Sequence, residues 1–179
     1  MTNVIRWIAP AALIASVSPP CIAAQYMSVE QAKALIFAQA KEFVSTVITL
    51  TPAQIERIEQ QAGVKVSSVR PQVWQARIAE TLLGWFIVDQ VVGKHDLITY
   101  ALGINANGSI RQVQVIEYRE AYGYQVSHLK WRDQFVGKTI ADSLNLDADI
   151  VNISGATLSC RHLTEGIRCL LAFHNVALL

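Results

Sequence analysis

The stretch LITYALGINANGSIRQVQVIEY, residues 97–118, decides the fold. Two runs rich in β-branched and aromatic residues, Leu97 to Ile104 and Ile110 to Tyr118, flank Asn107-Gly108. Asn and Gly tolerate the positive φ that tight hairpin turns require, so the stretch predicts an antiparallel hairpin. Upstream, Gly84 to Val92 carries Trp, Phe, Ile and Val and predicts a further strand. Its neighbourhood, Leu82 to Val92, is too short for a membrane span and contains Asp89.

Helices are expected around this sheet. Ser28-Val29-Glu30-Gln31 is a capping box, in which a serine N-cap and a glutamine three residues on satisfy each other's backbone N–H groups. Apolar residues at Val29, Ala32, Leu35, Ile36, Ala40, Phe43, Val44 and Val47 then suggest one long amphipathic helix. Thr51-Pro52-Ala53-Gln54 opens a second, with the stripe Ile55, Ile58 and Ala62, and Gly63 stops it. A loop with Tyr122, Gly123 and Tyr124 follows the hairpin, and a short helix is read over Trp131 to Phe135, ending near Gly137. The last helix runs from Leu158 to about Phe173, with Cys160, Leu163, Ile167, Leu170 and Leu171 on one face. The class is α+β: a mainly antiparallel sheet packed with helices, preceded by an N-terminal helical extension. Three segments are expected: residues 1–24, a helical segment 25–80, and a domain 81–179.

The opening segment has the outline of a secretory signal peptide: Arg6, an apolar run from Trp7 to Val17, helix-breaking Pro19-Pro20, and a small-residue cleavage site at Ile22-Ala23-Ala24. Uncleaved anchoring and lipid attachment at Cys21 are weaker readings. Losing Arg6 from fifteen Lys+Arg leaves fourteen, equal to the fourteen Asp+Glu. A neutral surface argues against nucleic acid as a partner, because phosphate contacts need excess basic charge. Cys160 and Cys169 stand nine residues apart on one helix, on opposite faces and about 13 Å apart along its axis, so they do not pair. No Cys/His spacing matches a zinc or haem site.

One turn carries the chemistry. Ser154-Gly155-Ala156-Thr157 sits where a helix begins, and helix N-termini receive phosphates on free N–H groups. Taken alone, these four residues read first as an ordinary tight turn with Thr157 as N-cap. The surroundings change that. From about Trp85 to Leu171 the chain resembles the FMN-binding domain that carries covalent flavin. That domain occurs in subunits of the sodium-pumping NADH:quinone oxidoreductase, in the related Rnf complex, and in exported single-domain proteins. The resemblance rests on Tyr100 to Ile116, on Glu117-Tyr118-Arg119-Glu120-Ala121-Tyr122-Gly123 with Phe135-Val136-Gly137-Lys138, and on Ile153-Ser154-Gly155-Ala156-Thr157-Leu158-Ser159. It implies FMN esterified to Thr157, attached by a flavin transferase that takes FMN from FAD.

The resemblance also implies roles. Gly155 and Ala156 leave room for phosphate and ribityl chain, Leu158 and Ser159 offer N–H groups, Ser154 a hydroxyl, and Arg161 a charge partner. Tyr122, Tyr124 and Trp131 are candidates to pack on the flavin ring, and Glu120 to accept from ring or ribityl. His162 reads as a first-turn surface histidine, and Cys160 as a small buried hydrophobe. Two positions depart from the family pattern. Val151 stands where an acidic residue is usual, and Ala121-Tyr122 where larger members carry Thr-Pro. The expected function is electron transfer by an exported, periplasmic flavoprotein whose redox partners include membrane-bound proteins. The alternatives are a small flavin-dependent reductase, or an exported interaction module that keeps the fold without flavin.

Overall fold

The computed structural model describes residues 24–66, 71–120 and 122–179. The leader with Cys21 therefore lies outside the described residues, apart from Ala24. Six strands form one antiparallel sheet in the order β1-β6-β5-β4-β3-β2. They are β1 (Ala24–Gln25), β2 (Glu42–Thr46), β3 (Gln72–Ile78), β4 (Thr81–Val92), β5 (Leu97–Asn105) and β6 (Ile110–Tyr118). The helices are α1 (Val29–Ile36), α2 (Pro52–Ala62), α3 (Leu129–Arg132) and α4 (Thr157–Ala177). This is the expected α+β arrangement, and the Asn107-Gly108 hairpin is present, with Gly108 at φ +84°.

The sheet separates two apolar layers, as the period-2 alternation of strand side chains demands. Trp85, Ile87, Tyr100, Leu102, Val113 and Val115 face α2 and α4, where they meet Ile58, Cys160, Leu163, Ile167 and Leu170. Phe86, Val88, Ala101 and Ile116 face the other way, toward Ala32, Ile36 and Phe37 of α1. A register shift at Thr99/Tyr100 places Thr99 opposite Glu117 and Tyr100 opposite Val115. This bulge inserts one residue in β6 and so brings Val115 and Tyr118, three apart, into the same layer. Gly103 lets α1 cross closely, since a Cβ there would stand 2.3 Å from Ile36 Cγ2.

The segment 25–80 contains its two helices and also two strands. Both capping boxes form, and Gly63 closes α2 at φ +66°. The long first helix does not form. It stops at Ile36, and Phe43 and Val44 belong instead to edge strand β2, paired to β3. β-branched and aromatic residues favour the extended chain wherever a neighbouring strand supplies hydrogen bonds. Lys33, nearly buried on α1, lies 4.2 Å from the Trp74 ring centroid and 2.8 Å from Glu30. It thus clamps α1 to the sheet by a cation–π contact. The 80/81 boundary falls within the β3–β4 hairpin, where Ile78 pairs with Thr81. The short helix after the Tyr/Gly loop starts at Leu129, two residues early, and continues as the 3-10 turn Asp133–Phe135.

Candidate functional site

Helix α4 begins at Thr157, with Ala156 as an N-cap that makes no side-chain hydrogen bond. Thr157 is therefore the first residue of the helix and not its capping residue. The chain reaches it through a turn closed by Ala156 N–H donating to the Ile153 carbonyl, 2.9 Å. Gly155 has φ +83°, a left-handed conformation that glycine adopts without strain. A Cβ built on Gly155 meets no atom within 4 Å, so the turn's outer side is open. Ser154 and Leu158 are exposed and Thr157 is half-buried. Among the described residues, the N–H groups of Thr157, Leu158 and Ser159 meet no side-chain acceptor. An uncapped start on a 21-residue helix concentrates donors and the positive dipole end at one point. This is the physical requirement for holding an anion, so the residues present fit a flavin phosphate.

The segment leading to the turn is fixed by α3. Trp131 Nε1 donates to the Val151 carbonyl at 2.7 Å, and Val151 N–H donates to Gln134 Oε1 at 2.7 Å. Asn152 then turns inward. Its Oδ1 accepts from Ile153 N–H, 2.8 Å, and its Nδ2 donates to Thr157 Oγ1, 3.3 Å. Between α3 and residues 151–153 lies a cleft of about 450 Å³, lined mostly by apolar surface of Trp131, Val151 and Ile153, with Gln125, His128 and Gln134 as polar members. That volume lies within the range of small-molecule sites. Asn152 belongs both to the cleft wall and to the Thr157 contact, and so links the two.

Behind the turn, a polar knot ties α4 to the Tyr/Gly loop. The buried Tyr118 hydroxyl bonds Ser159 Oγ at 2.9 Å and donates to the Tyr122 carbonyl at 2.5 Å. Burial pushes the Tyr118 phenol above its ordinary pKa, although the Ser159 bond acts the other way, so it stays a neutral donor. Gly123, at φ +89°, passes so close that a Cβ would stand 2.6 Å from the Tyr118 oxygen.

The candidate residues separate into groups. Ser154, Gly155, Ala156, Thr157, Leu158 and Ser159 form one turn and helix start, with Ser159's hydroxyl directed inward to Tyr118. Trp131 is 5% exposed, packs edge-on against Phe135 and presents its remaining surface to the cleft. Tyr122 is 83% exposed and Ala121 lies outside the described residues. Tyr124, also exposed, stacks edge-on with His128 at the cleft's border. Arg161 is exposed one turn along α4 and forms no ion pair among the described residues.

Glu120 also supports the fold. Its Oε1 accepts from the backbone N–H groups of His95 (2.5 Å) and Asp96 (3.0 Å) in the β4–β5 turn. Burial alone would raise its pKa, but those N–H groups and that of Lys94 outweigh it and hold the carboxyl below its ordinary value. Its Oε1 is thus engaged by the β4–β5 turn. His162 is partly exposed, and its Nδ1 lies 2.6 Å from the Val92 carbonyl and 2.9 Å from that of Gly93. It anchors α4 to the end of β4. Cys160 and Cys169 are free and buried, and burial raises both thiols, Cys169 to about 11. Neither is a thiolate near neutral pH. No group of His, Cys, Asp and Glu among the described residues could hold a metal ion. Asn152 and Gln134 escaped the sequence reading, since an isolated Asn before a turn carries no periodic or motif signal.

Residues 93–172 match the family described as the FMN-binding domain. Together with the fold, the match describes an α+β protein with a segment similar to the FMN-binding domain. Among solved structures the chain is similar to NqrC of Shewanella oneidensis, with a TM-score of 0.52 and 16% identity, covering 74% of this chain and 79% of that one. At that identity the likeness speaks to the fold. No curated protein matches the chain significantly.

Proposed function

We propose that this protein is an exported electron-transfer flavoprotein that carries FMN through a phosphoester to Thr157. The observation that carries the reading is the half-buried Thr157 hydroxyl at the uncapped start of α4, behind an open left-handed glycine and beside a cleft of about 450 Å³. The match of residues 93–172 to the FMN-binding domain supports the cofactor. When bound, FMN supplies the redox chemistry, accepting and passing on electrons. The protein's own residues bind and orient. The N–H groups of Leu158 and Ser159 would hold phosphate oxygens, Arg161 adds charge, and Trp131 offers an apolar face to the ring. A covalent tether suits an exported protein, because FMN lost outside the cytoplasm is not replaced. The Arg6 leader and the Ala24 cleavage site support export, and a flavin transferase is the implied maturation partner.

Intact-mass spectrometry after co-expression with a flavin transferase tests the proposal. The expected result is a mass gain of one FMN, absent in Thr157→Val. An unmodified wild-type chain under those conditions would sink it. It would instead favour a fold kept without flavin, the reading to which Val151 lends weight. Val151 is 68% exposed on the cleft wall and its backbone is bonded at both ends, so an acid at this position would be accessible beside the turn.

A further inference from the structure

Polar side chains at helix starts ordinarily supply acceptors, because the first turn has N–H groups in need of them. Asn152 does the reverse. Its acceptor oxygen is occupied by the N–H of Ile153 at 2.8 Å, and this bond fixes which way the amide faces. The side chain therefore presents Nδ2, a donor, to Thr157 Oγ1 at 3.3 Å. A donor added to a cluster of uncapped helix N–H groups does nothing to satisfy them. It makes the spot more favourable for an anion. The residue is also rigidly mounted. Its neighbour Val151 is held by Trp131 Nε1 and Gln134 Oε1, 2.7 Å each, and Asn152 itself lines the cleft that opens beside Thr157.

We infer that Asn152 is a positioning residue for flavin attachment: its amide sets the rotamer of the Thr157 hydroxyl and then donates to the phosphate that the hydroxyl acquires. The inference rests on the phosphoester reading of Thr157. The step it serves is a phosphoryl transfer without change of oxidation state. Thr157 Oγ forms a bond to the phosphorus of the FMN half of flavin adenine dinucleotide. The bond from that phosphorus to the bridging oxygen breaks, AMP departs with that oxygen, and the threonine proton passes to solvent. Thr157 is N1 of the helix, and its χ1 is unconstrained by any capping bond. One donor from a fixed neighbour selects the orientation in which the oxygen faces Asn152, a residue of the cleft wall. Fixing a nucleophile in this way acts on rate without adding binding area.

Asn152→Asp separates this role from support of the turn. Aspartate is nearly isosteric and keeps the acceptor for Ile153 N–H, but when ionised it cannot donate and repels a phosphate. With purified flavin transferase, its Mg²⁺ and FAD, wild-type chain gains FMN at Thr157, read by intact mass and peptide mapping. Asn152→Asp is expected to attach FMN at least about tenfold more slowly at neutral pH, with an unchanged thermal midpoint. The ratio of variant to wild-type rate should climb as pH falls from about 7.5 to about 5, as protonation restores a donor. Asn152→Leu, which can never donate, should be slow at every pH. Wild-type rates in both variants would overturn the role of Asn152 and leave the phosphoester reading standing. A deficit accompanied by a fall in thermal midpoint and no pH dependence of the ratio would also overturn it, in favour of a merely structural residue. A wild-type chain that never gains FMN at Thr157 removes the underlying reading itself.

Discussion

Glu120 shows how one residue can belong to a motif and yet serve the fold. It lies two residues past the end of β6, in the stretch that resembles the flavin family, and its Oε1 accepts from the N–H groups of His95 and Asp96. Gly93 packs so tightly against it that a Cβ there would stand 2.6 Å from Glu120 Oε1. Glu120→Ala is therefore expected to cost about 1–2 kcal/mol of stability, measured by urea unfolding. Flavin attachment at Thr157 should be unchanged. Loss of attachment without loss of stability would return Glu120 to the site. The same reasoning explains what was legible at this scale. Gly155, Gly123 and Gly108 are visible in sequence because positive φ selects glycine, and all three have it. Asn152 was invisible because its function depends on where its amide points, which the Ile153 backbone decides.

Among the elements, α4 was readable nearly throughout, since its apolar residues keep one helical face and all of Cys160, Leu163, Ile167, Leu170 and Leu171 are buried. β3 was not. Val73 joins the α2/α4 layer while Trp74 and Ala76 face α1, so apolar residues point both ways and no apolar/polar alternation is visible. Its hairpin to β4 turns at Ala79, which takes φ +49° without the glycine or asparagine that marks such turns. Arg77 supports that turn instead, donating to Gln75 Oε1 and to the Glu80 carbonyl. Near its C-terminal end α4 also buries His174, edge-on to Trp85, with Nε2 lacking a partner among the described residues. Burial lowers the pKa of this imidazole in the folded state. Below about pH 6.5 the unfolded chain takes up a proton that the folded one refuses, so stability is lost as pH falls. Wild-type protein should thus lose thermal stability between pH 7.5 and 5.5 more steeply than His174→Leu. Parallel curves for the two would show that the imidazole is not the titrating group.

For the whole molecule, the continuity of the sheet matters most. β2 and β3 extend it beyond β4, and Ile58 and Ala62 of α2 join the same core as α4. The C-terminal portion that carries the flavin signature does not close its own core, because β4 needs β3 along Gln72–Ile78. A fragment of residues 81–179 should lack a cooperative unfolding transition, while residues 25–179 should show one, followed by far-UV circular dichroism on heating. A cooperative, native-like fragment would mean that the N-terminal strands are dispensable. The sheet's existence was legible from the Leu97–Tyr118 hairpin, but its width was not, since the added strands are polar, short or lie at edges.

The pairing of Ala24 with Tyr118 also has a practical side. The Tyr118 hydroxyl touches Ser159 in the first turn of α4, so the start of the described chain and the Thr157 turn share one end of the molecule. The other terminus follows Ala177, the last residue of a helix that begins at Thr157 and spans about 30 Å. An affinity handle, dye or carrier fused ahead of residue 24 would crowd the turn at which flavin attachment is proposed. The same handle after Leu179 would sit at the opposite pole and leave that turn open, and immobilisation through the C-terminus would present it to whatever approaches from solution.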